Sequence, residues 1–85
     1  PVASPAVTPV KSGLVGIFHA LPDPVAAGDL VSERQVLGHV ESMRLMNDCL
    51  ATASGTVSAV LVEDNQPVEY GQTLFEIREE EGGQA

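Results

Sequence analysis

Cysteine and aromatic residues are scarce in this sequence. Of 85 residues, one is cysteine, two are phenylalanine, one is tyrosine and none is tryptophan. The single thiol, Cys49, excludes an intramolecular disulfide and a cysteine-based zinc site, and we expect it to be a small buried hydrophobe. This cysteine use is typical of a reducing compartment, so we expect the protein in the cytoplasm, or in a plastid if its source is eukaryotic. With so few aromatic rings, the core has to be built from Val, Leu, Ile and Ala.

Positive charge is scarce as well. The chain has 4 basic and 12 acidic residues, which gives a formal net charge of -8. Nucleic acids and anionic lipid surfaces both require clustered Lys and Arg, so neither nucleic acid nor a membrane is an expected partner. In addition, no apolar run approaches the ~20 residues that cross a bilayer as a helix.

Residues that carry chemistry in other proteins form no recognisable set here. His19 and His39 have no further His or Cys at ligand spacing, so no metal site is expected. The sequence has no Ser-His-Asp motif and no glycine-rich phosphate loop. Nucleophilic hydrolysis therefore has no support in the sequence.

The two ends of the chain differ in composition from its middle. Residues 1–9 hold three prolines and are predicted to be an extended linker that continues from an upstream segment. Residues 79–85 are acidic and glycine-rich, and they are predicted to be a flexible tail. One folded domain is therefore expected over residues 10–78.

Within that domain, short β-branched segments alternate with turn signals, a pattern typical of an all-β sandwich or flattened barrel. The candidate strands are 14–19, 35–41, 45–51, 56–62 and 73–78, with shorter extended pieces at 29–31 and 66–68. This spacing predicts about eight short strands and no helix longer than two turns.

The two halves of the domain also resemble each other. Residues 12–15 (Ser-Gly-Leu-Val) match residues 54–57 (Ser-Gly-Thr-Val). The pattern Val-x-x-x-Gln-x-Leu-x-x-Val of residues 31–40 matches the same pattern, ending in Ile, of residues 68–77. Two similar halves predict a pseudo-twofold sandwich whose first half has the longer loop, around residues 21–27.

Alternation and the repeat together predict the core. The positions expected to be buried are Val15, Ile17, Val36, Val40, Val57, Val60, Leu74 and Ile77. Leu37 and Val62 are left open, because a one-residue slip in register exchanges the two faces of a strand.

A seven-residue motif stands where the first half meets the second. Residues 41–47 read Glu-Ser-Met-Arg-Leu-Met-Asn, which resembles the Glu-Ala-Met-Lys-(Met or Leu)-Met-Asn attachment hairpin of biotin carboxyl carrier domains. Residues 10–18, 54–57 and 61–77 are similar to the same family, and the details lean toward the acetyl-CoA carboxylase type. The resemblance implies a hammerhead-like biotinyl domain with the hairpin exposed at one end. It also implies biotin carboxylase and carboxyltransferase subunits as partners, with biotin ligase as a further candidate.

Two departures from the family pattern matter. Arg44 occupies the position of the lysine that carries biotin in the family, and the only lysine of the chain is Lys11. Arginine stays protonated and offers no free lone pair, so it cannot form the amide with biotin. No cofactor is therefore expected on the chain as it stands, although biotin is the cofactor of the family. The 21–27 loop is also about five residues shorter than the protruding thumb of the bacterial carriers.

The candidate site is the hairpin around Arg44. Met43 and Leu45 are predicted to flank and present the tip, and Glu41, Ser42, Met46 and Asn47 are predicted to contact partners. For Met43 and Met46 two interpretations stand side by side. They fill the core beneath the hairpin, or they form an adaptable contact surface, for which methionine is well suited.

Two functions fit these features. The first is a structural or regulatory pseudo-carrier that docks in a biotin-dependent carboxylase without carrying biotin. The second is an ordinary carrier with an engineered Lys-to-Arg change, whose parent form shuttles carboxybiotin between the carboxylase and carboxyltransferase centres. Ser42 replaces the usual Ala, and Cys49-Leu50 stands where Ile or Val and Glu are more usual. Because an engineered change would alter one residue only, this drift favours the first function.

Overall fold

A computed structural model describes residues 7–79, which form eight β-strands in two antiparallel four-stranded sheets. The strands are β1 (Val7–Lys11), β2 (Gly16–Ala20), β3 (Leu30–Val31), β4 (Val36–Ser42), β5 (Leu45–Leu50), β6 (Gly55–Val60), β7 (Pro67–Val68) and β8 (Thr73–Glu79). The part of the chain that the structure describes contains no helix, and hence none that could span a membrane. The predicted all-β sandwich is confirmed.

The two sheets are related by a pseudo-twofold axis. One sheet has the order β1-β8-β6-β3 and the other has the order β5-β4-β2-β7. Exchanging the first four strands with the last four, in chain order, converts one sheet into the other. The predicted internal symmetry is therefore present in the strand topology.

The first strand corrects a predicted boundary. β1 begins at Val7, inside the segment 1–9 that was predicted to be a linker, and it pairs with β8 from Val7↔Arg78 to Lys11↔Thr73. Pro9 is tolerated because β1 is an edge strand, where a missing N–H breaks no ladder on the open side. At the other end β8 includes Glu79, the first residue of the predicted tail. The rest of both predicted segments lies outside the described residues.

The core lies between the two sheets. Its buried hydrophobic residues are Val10, Phe18, Val31, Leu37, Val40, Cys49, Ala51, Val57, Val62, Val68, Leu74, Phe75 and Ile77. This confirms the predicted burial of Val40, Val57, Leu74, Ile77 and Cys49. Leu37 and Val62, which the sequence left open, are buried too.

Four core predictions are wrong: those for Val15, Ile17, Val36 and Val60. Val15 is exposed because β2 begins one residue later, at Gly16. In β2 the residue that faces the core is Phe18, so its neighbour Ile17 is only half-buried on the outer face.

The other two errors have separate causes. A bulge between Val36 and Gly38 turns Leu37 inward and leaves Val36 half-buried. Val60 pairs with the buried Phe75 but lines an open cleft, so 36% of its surface stays exposed.

Four similar turns connect the short strands. They span residues 26–29, 32–35, 63–66 and 69–72, and in each the last residue donates its N–H to the carbonyl of the first. The side chain of that last residue, Asp29, Gln35, Gln66 or Gln72, accepts the N–H of the first residue in return. The third residue has a positive φ in every case: Gly28, Arg34, Asn65 and Gly71. These matching turns account for the sequence repeat of residues 31–40 and 68–77.

The other sequence repeat has no structural counterpart. Residues 12–15 and 54–57 match in sequence, yet the glycines that occupy equivalent places are Gly16 and Gly55. Each opens a strand so close to its neighbour that a Cβ would collide with a backbone carbonyl oxygen, that of Glu41 or Arg78. A Cβ on Gly13 would meet nothing. Residues 12–15 all lie before β2, which is why this alignment was wrong.

Candidate functional site: the β4–β5 hairpin

The candidate site is a hairpin with a two-residue loop. β4 and β5 pair from Val36↔Leu50 to Ser42↔Leu45, so Met43 and Arg44 alone close the turn. Their φ angles are 53° and 68°, as in a type I′ turn, whose twist matches that of the flanking strands. Positive φ is uncommon for residues with a Cβ and is retained only where the surroundings enforce it. The hairpin therefore holds Arg44 exposed at its outermost point.

Apolar side chains surround the tip. Met43 is 91% exposed, Leu45 68% and Met46 57%, and we refer to these three residues as the apolar collar. The interpretation that Met43 and Met46 fill the core beneath the hairpin is therefore wrong. The other interpretation, an adaptable contact surface beside the turn, stays a prediction.

Two cross-strand pairs flank the hairpin on its outer face. Nε2 of His19 lies 2.9 Å from Oε1 of Glu41, and Nε2 of His39 lies 3.3 Å from Oδ1 of Asp48. The two histidines are directly opposite each other in the β2–β4 ladder. Sequence analysis considered the two histidines only as possible metal ligands and did not identify these pairs.

The two histidine pairs engage the carboxylates that lie closest to Arg44 in the sequence. Glu41 and Asp48 each have a histidine partner, and within residues 7–79 no carboxylate oxygen lies within 4.0 Å of the Arg44 guanidinium. The charge at the tip is therefore not neutralised by an ion pair in the described part of the chain.

The remaining motif residues maintain the shape of the hairpin. Nδ2 of Asn47 donates to the carbonyl oxygens of Val40, at 3.3 Å, and Leu45, at 3.2 Å. These bonds tie the base of the turn to both strands. Ser42 is half-buried and forms the last ladder pair before the loop. Asn47 thus has a positioning role that the motif alone did not reveal.

The base of the hairpin lies beside Lys11, which is distant from the hairpin in the sequence. Lys11 lines a cavity of about 130 Å³ with Asn47, Cys49 and neighbouring residues. Burial raises the pKa of the Cys49 thiol from 9.0 to about 11, so it stays neutral at physiological pH. Lys11 is exposed at the end of β1 and is not part of the turn.

The 21–27 loop packs against the body of the sandwich. Val25 is partly buried against the core, and Pro24 and Val25 cover one side of a cleft of about 250 Å³ between the sheets. Phe18 and Phe75 form the floor of this cleft, with ring centroids 5.8 Å apart in an edge-to-face arrangement.

Comparison with known sequences gives a consistent result. Residues 8–77 match the family model described as "Biotin-requiring enzyme". The biotin carboxyl carrier protein of acetyl-CoA carboxylase from Pseudomonas aeruginosa is 41% identical over 73 residues, which is 80% of this chain and 47% of that protein. The chloroplastic carrier protein of acetyl-CoA carboxylase 2 from Arabidopsis thaliana is 39% identical over 74 residues, or 81% of this chain and 29% of that protein. The chain thus spans less than half the length of these curated relatives.

Two solved structures share the fold. The Kluyveromyces lactis urea carboxylase superposes with a TM-score of 0.75 at 24% identity, covering 91% of this chain and 7% of that one. A single-chain, multi-domain long-chain acyl-CoA carboxylase superposes with a TM-score of 0.79 at 18% identity, covering 100% of this chain and 8% of that one. At these identities the likeness concerns the fold alone, but the family match covers most of the chain. The chain therefore belongs to the biotin-requiring enzyme family, and residues 8–77 form its biotin/lipoyl-type domain.

Proposed function

We propose that this chain is a non-catalytic, carrier-like module of a biotin-dependent carboxylase of the acetyl-CoA carboxylase type, and that it carries no biotin. The observation that carries the proposal is an exposed, tightly closed hairpin tip with Arg44 where the resemblance expects lysine. The relatives named as carrier proteins of acetyl-CoA carboxylase support the type of carboxylase.

The chemistry of the two side chains separates carrier from pseudo-carrier. A lysine can lose its proton at accessible cost and attack an activated carboxyl group as a neutral amine. The arginine guanidinium keeps its proton and its delocalised electrons throughout the pH range of life. What Arg44 retains from lysine is positive charge and length, which serve docking but not acylation.

The role that follows is occupancy of a docking site. A module with the carrier fold and the collar, but without biotin, binds where a true carrier binds and transfers no carboxyl group. Biotin carboxylase and carboxyltransferase subunits are the proposed partners, and the effect on their activity is regulatory or structural. We place this function in the cytoplasm, or in a plastid if the source is a plant, as in the chloroplastic relatives.

A biotinylation assay tests the proposal. The chain, its Arg44→Lys variant and its Arg34→Lys variant are incubated with biotin ligase, ATP and biotin, and then weighed by mass spectrometry. Arg34→Lys is a matched control, because Arg34 is also an exposed residue at positive φ in a turn. We expect no mass gain for the chain and the control, and one biotinyl group on Arg44→Lys.

One outcome would contradict the proposal: a mass gain on the unaltered chain, which would show that Lys11 or another group accepts biotin. A folded Arg44→Lys variant without biotin would show instead that the residues around the tip have also lost what the ligase recognises. That result would favour a pseudo-carrier over an engineered carrier. An activity assay then separates pseudo-carrier from ordinary carrier, since the pseudo-carrier lowers turnover when added to a carboxylase with an intact carrier.

A further inference from the structure

We propose that Arg44 is an anion-binding side chain and that the docking partner presents a carboxylate, from Asp or Glu, to its guanidinium. This inference rests on the proposed docking function and adds the chemistry of the surface that the hairpin meets. It concerns a positive charge that the biotinylated lysine of the family, which is a neutral amide, does not provide.

The first step of the argument is preorganisation. Arg44 lies in a two-residue loop with both φ angles positive, and Asn47 ties the base of that loop to Val40 and Leu45. Backbone freedom at the tip is already restricted before any partner binds. Docking therefore loses mainly the rotamer freedom of the side chain, which is the smaller entropic cost.

The second step is the absence of an internal partner in the described chain. Glu41 is held by His19 and Asp48 by His39, and both pairs lie along the outer sheet face. A guanidinium has five N–H donors, and here none reaches a carboxylate within residues 7–79. The donors are available to a group outside the chain.

The third step is desolvation by the apolar collar. Met43, Leu45 and Met46 surround the charge, so a partner that covers them also removes water from Arg44. A buried cation without a counter-charge is strongly unfavourable, so a partner that binds the collar has to supply an anion. Carboxylates match the guanidinium fork with two parallel hydrogen bonds. Because the collar needs a fixed protein surface, the anion is most simply part of that surface.

Calorimetric titration tests the inference. The chain and its variants are titrated into the purified biotin carboxylase and carboxyltransferase subunits of the same organism. Arg44→Met, which removes the charge at similar length, should weaken Kd roughly 30-fold or more, and Arg44→Lys, which keeps charge but loses the fork, about 10-fold. The matched control Arg34→Met should change Kd less than about twofold, because the Arg34 turn consists of polar residues without an apolar collar.

The outcomes distinguish this inference from the proposed function. If the unaltered chain binds neither subunit, the docking function itself is wrong. If it binds and Arg44→Met binds equally well, docking stands and the anion-binding role is overturned. If binding appears only with added inorganic phosphate, the anion is a bound ion and the partner carboxylate is wrong. Thermal unfolding of each variant, expected to be unchanged for an exposed tip, shows that a lost affinity is not lost folding.

Discussion

The β4–β5 hairpin and the β8–β1 pair occupy equivalent places in the two sheets but differ at their ends. Both have the same bulge, which skips Leu37 in one sheet and Leu74 in the other and buries both. In the hairpin a two-residue turn closes the pair and exposes the apolar collar. In the counterpart the strands meet at Val7↔Arg78 and no turn joins them. The shared framework provides the stability, and the asymmetric end carries the candidate site.

If the two sheets are equivalent, core positions related by the pseudo-twofold axis should contribute equally to the free energy of unfolding. Leu37→Ala and Leu74→Ala each remove a fully buried side chain and leave a cavity, so each should lower the free energy of unfolding by about 2–5 kcal/mol. Leu61→Ala, at an exposed position, should change it by less than about 0.5 kcal/mol. Urea denaturation measures all three. If one leucine cost several times more than the other, the two halves would not be energetically equivalent.

The second test concerns the glycines that open β2 and β6. Gly16→Ala and Gly55→Ala each place a methyl group against a backbone carbonyl of the neighbouring strand, so each should destabilise the fold by about 1–3 kcal/mol. Gly13→Ala has open space and should lie within about 0.5 kcal/mol of the unaltered chain. Denaturation curves that rank Gly13 with Gly55 would restore the alignment of residues 12–15 with 54–57.

These positions also show what the sequence could and could not predict. The repeat of residues 31–40 and 68–77 was found from sequence because each copy contains a turn whose glutamine bonds locally. The equivalence of Gly16 and Gly55 was missed because its cause is a neighbouring strand remote in the chain. Bulges act likewise, since they reverse alternation without a residue signature, and so Val36 was wrongly assigned to the core while Leu37 was left open.

In the candidate site, too, some features were predicted from the sequence and others were not. The position of Arg44 at an exposed turn was expected from the resemblance of residues 41–47 to the attachment hairpin, since Met43-Arg44 itself is not a typical turn sequence. The engagement of Glu41 by His19, and of Asp48 by His39, depends on ladder register between strands and had no sequence signal. Whether a methionine beside a turn faces core or solvent likewise depends on how the hairpin projects from the sheet.

The third test compares the two glutamine turns. Gln35→Ala and Gln72→Ala each remove a side-chain acceptor that bonds a backbone N–H at 2.9 Å. Each should cost about 1 kcal/mol, which shifts the midpoint of thermal unfolding by about 4–8 °C in a domain of this size. The control Gln35→Glu keeps an acceptor oxygen at that position and should lose less. A large effect at one turn and none at the other would show that the two turns do not contribute equally to stability.

The last comparison concerns Cys49 and its counterpart. The ladders pair Cys49 with Gly38 and Val10 with Phe75, and these pairs are related by the pseudo-twofold axis. Because valine already occupies the equivalent buried position, Cys49→Val should change the free energy of unfolding at neutral pH by less than about 1.5 kcal/mol.

The ionisation of the Cys49 thiol should affect stability only at alkaline pH. Burial raises the pKa of Cys49 from 9.0 to about 11, so between these values the unfolded chain gives up a proton that the folded chain keeps. The folded state then binds more protons, and stability falls as pH rises through that window. Urea denaturation at about pH 8 and about pH 10 should therefore show a larger loss for the unaltered chain than for Cys49→Val. Other groups that titrate in this window cancel in the difference between the two proteins. An equal loss in both would mean that the thiol ionises as readily in the folded state as in the unfolded chain, and so that it reaches solvent at the β5 edge.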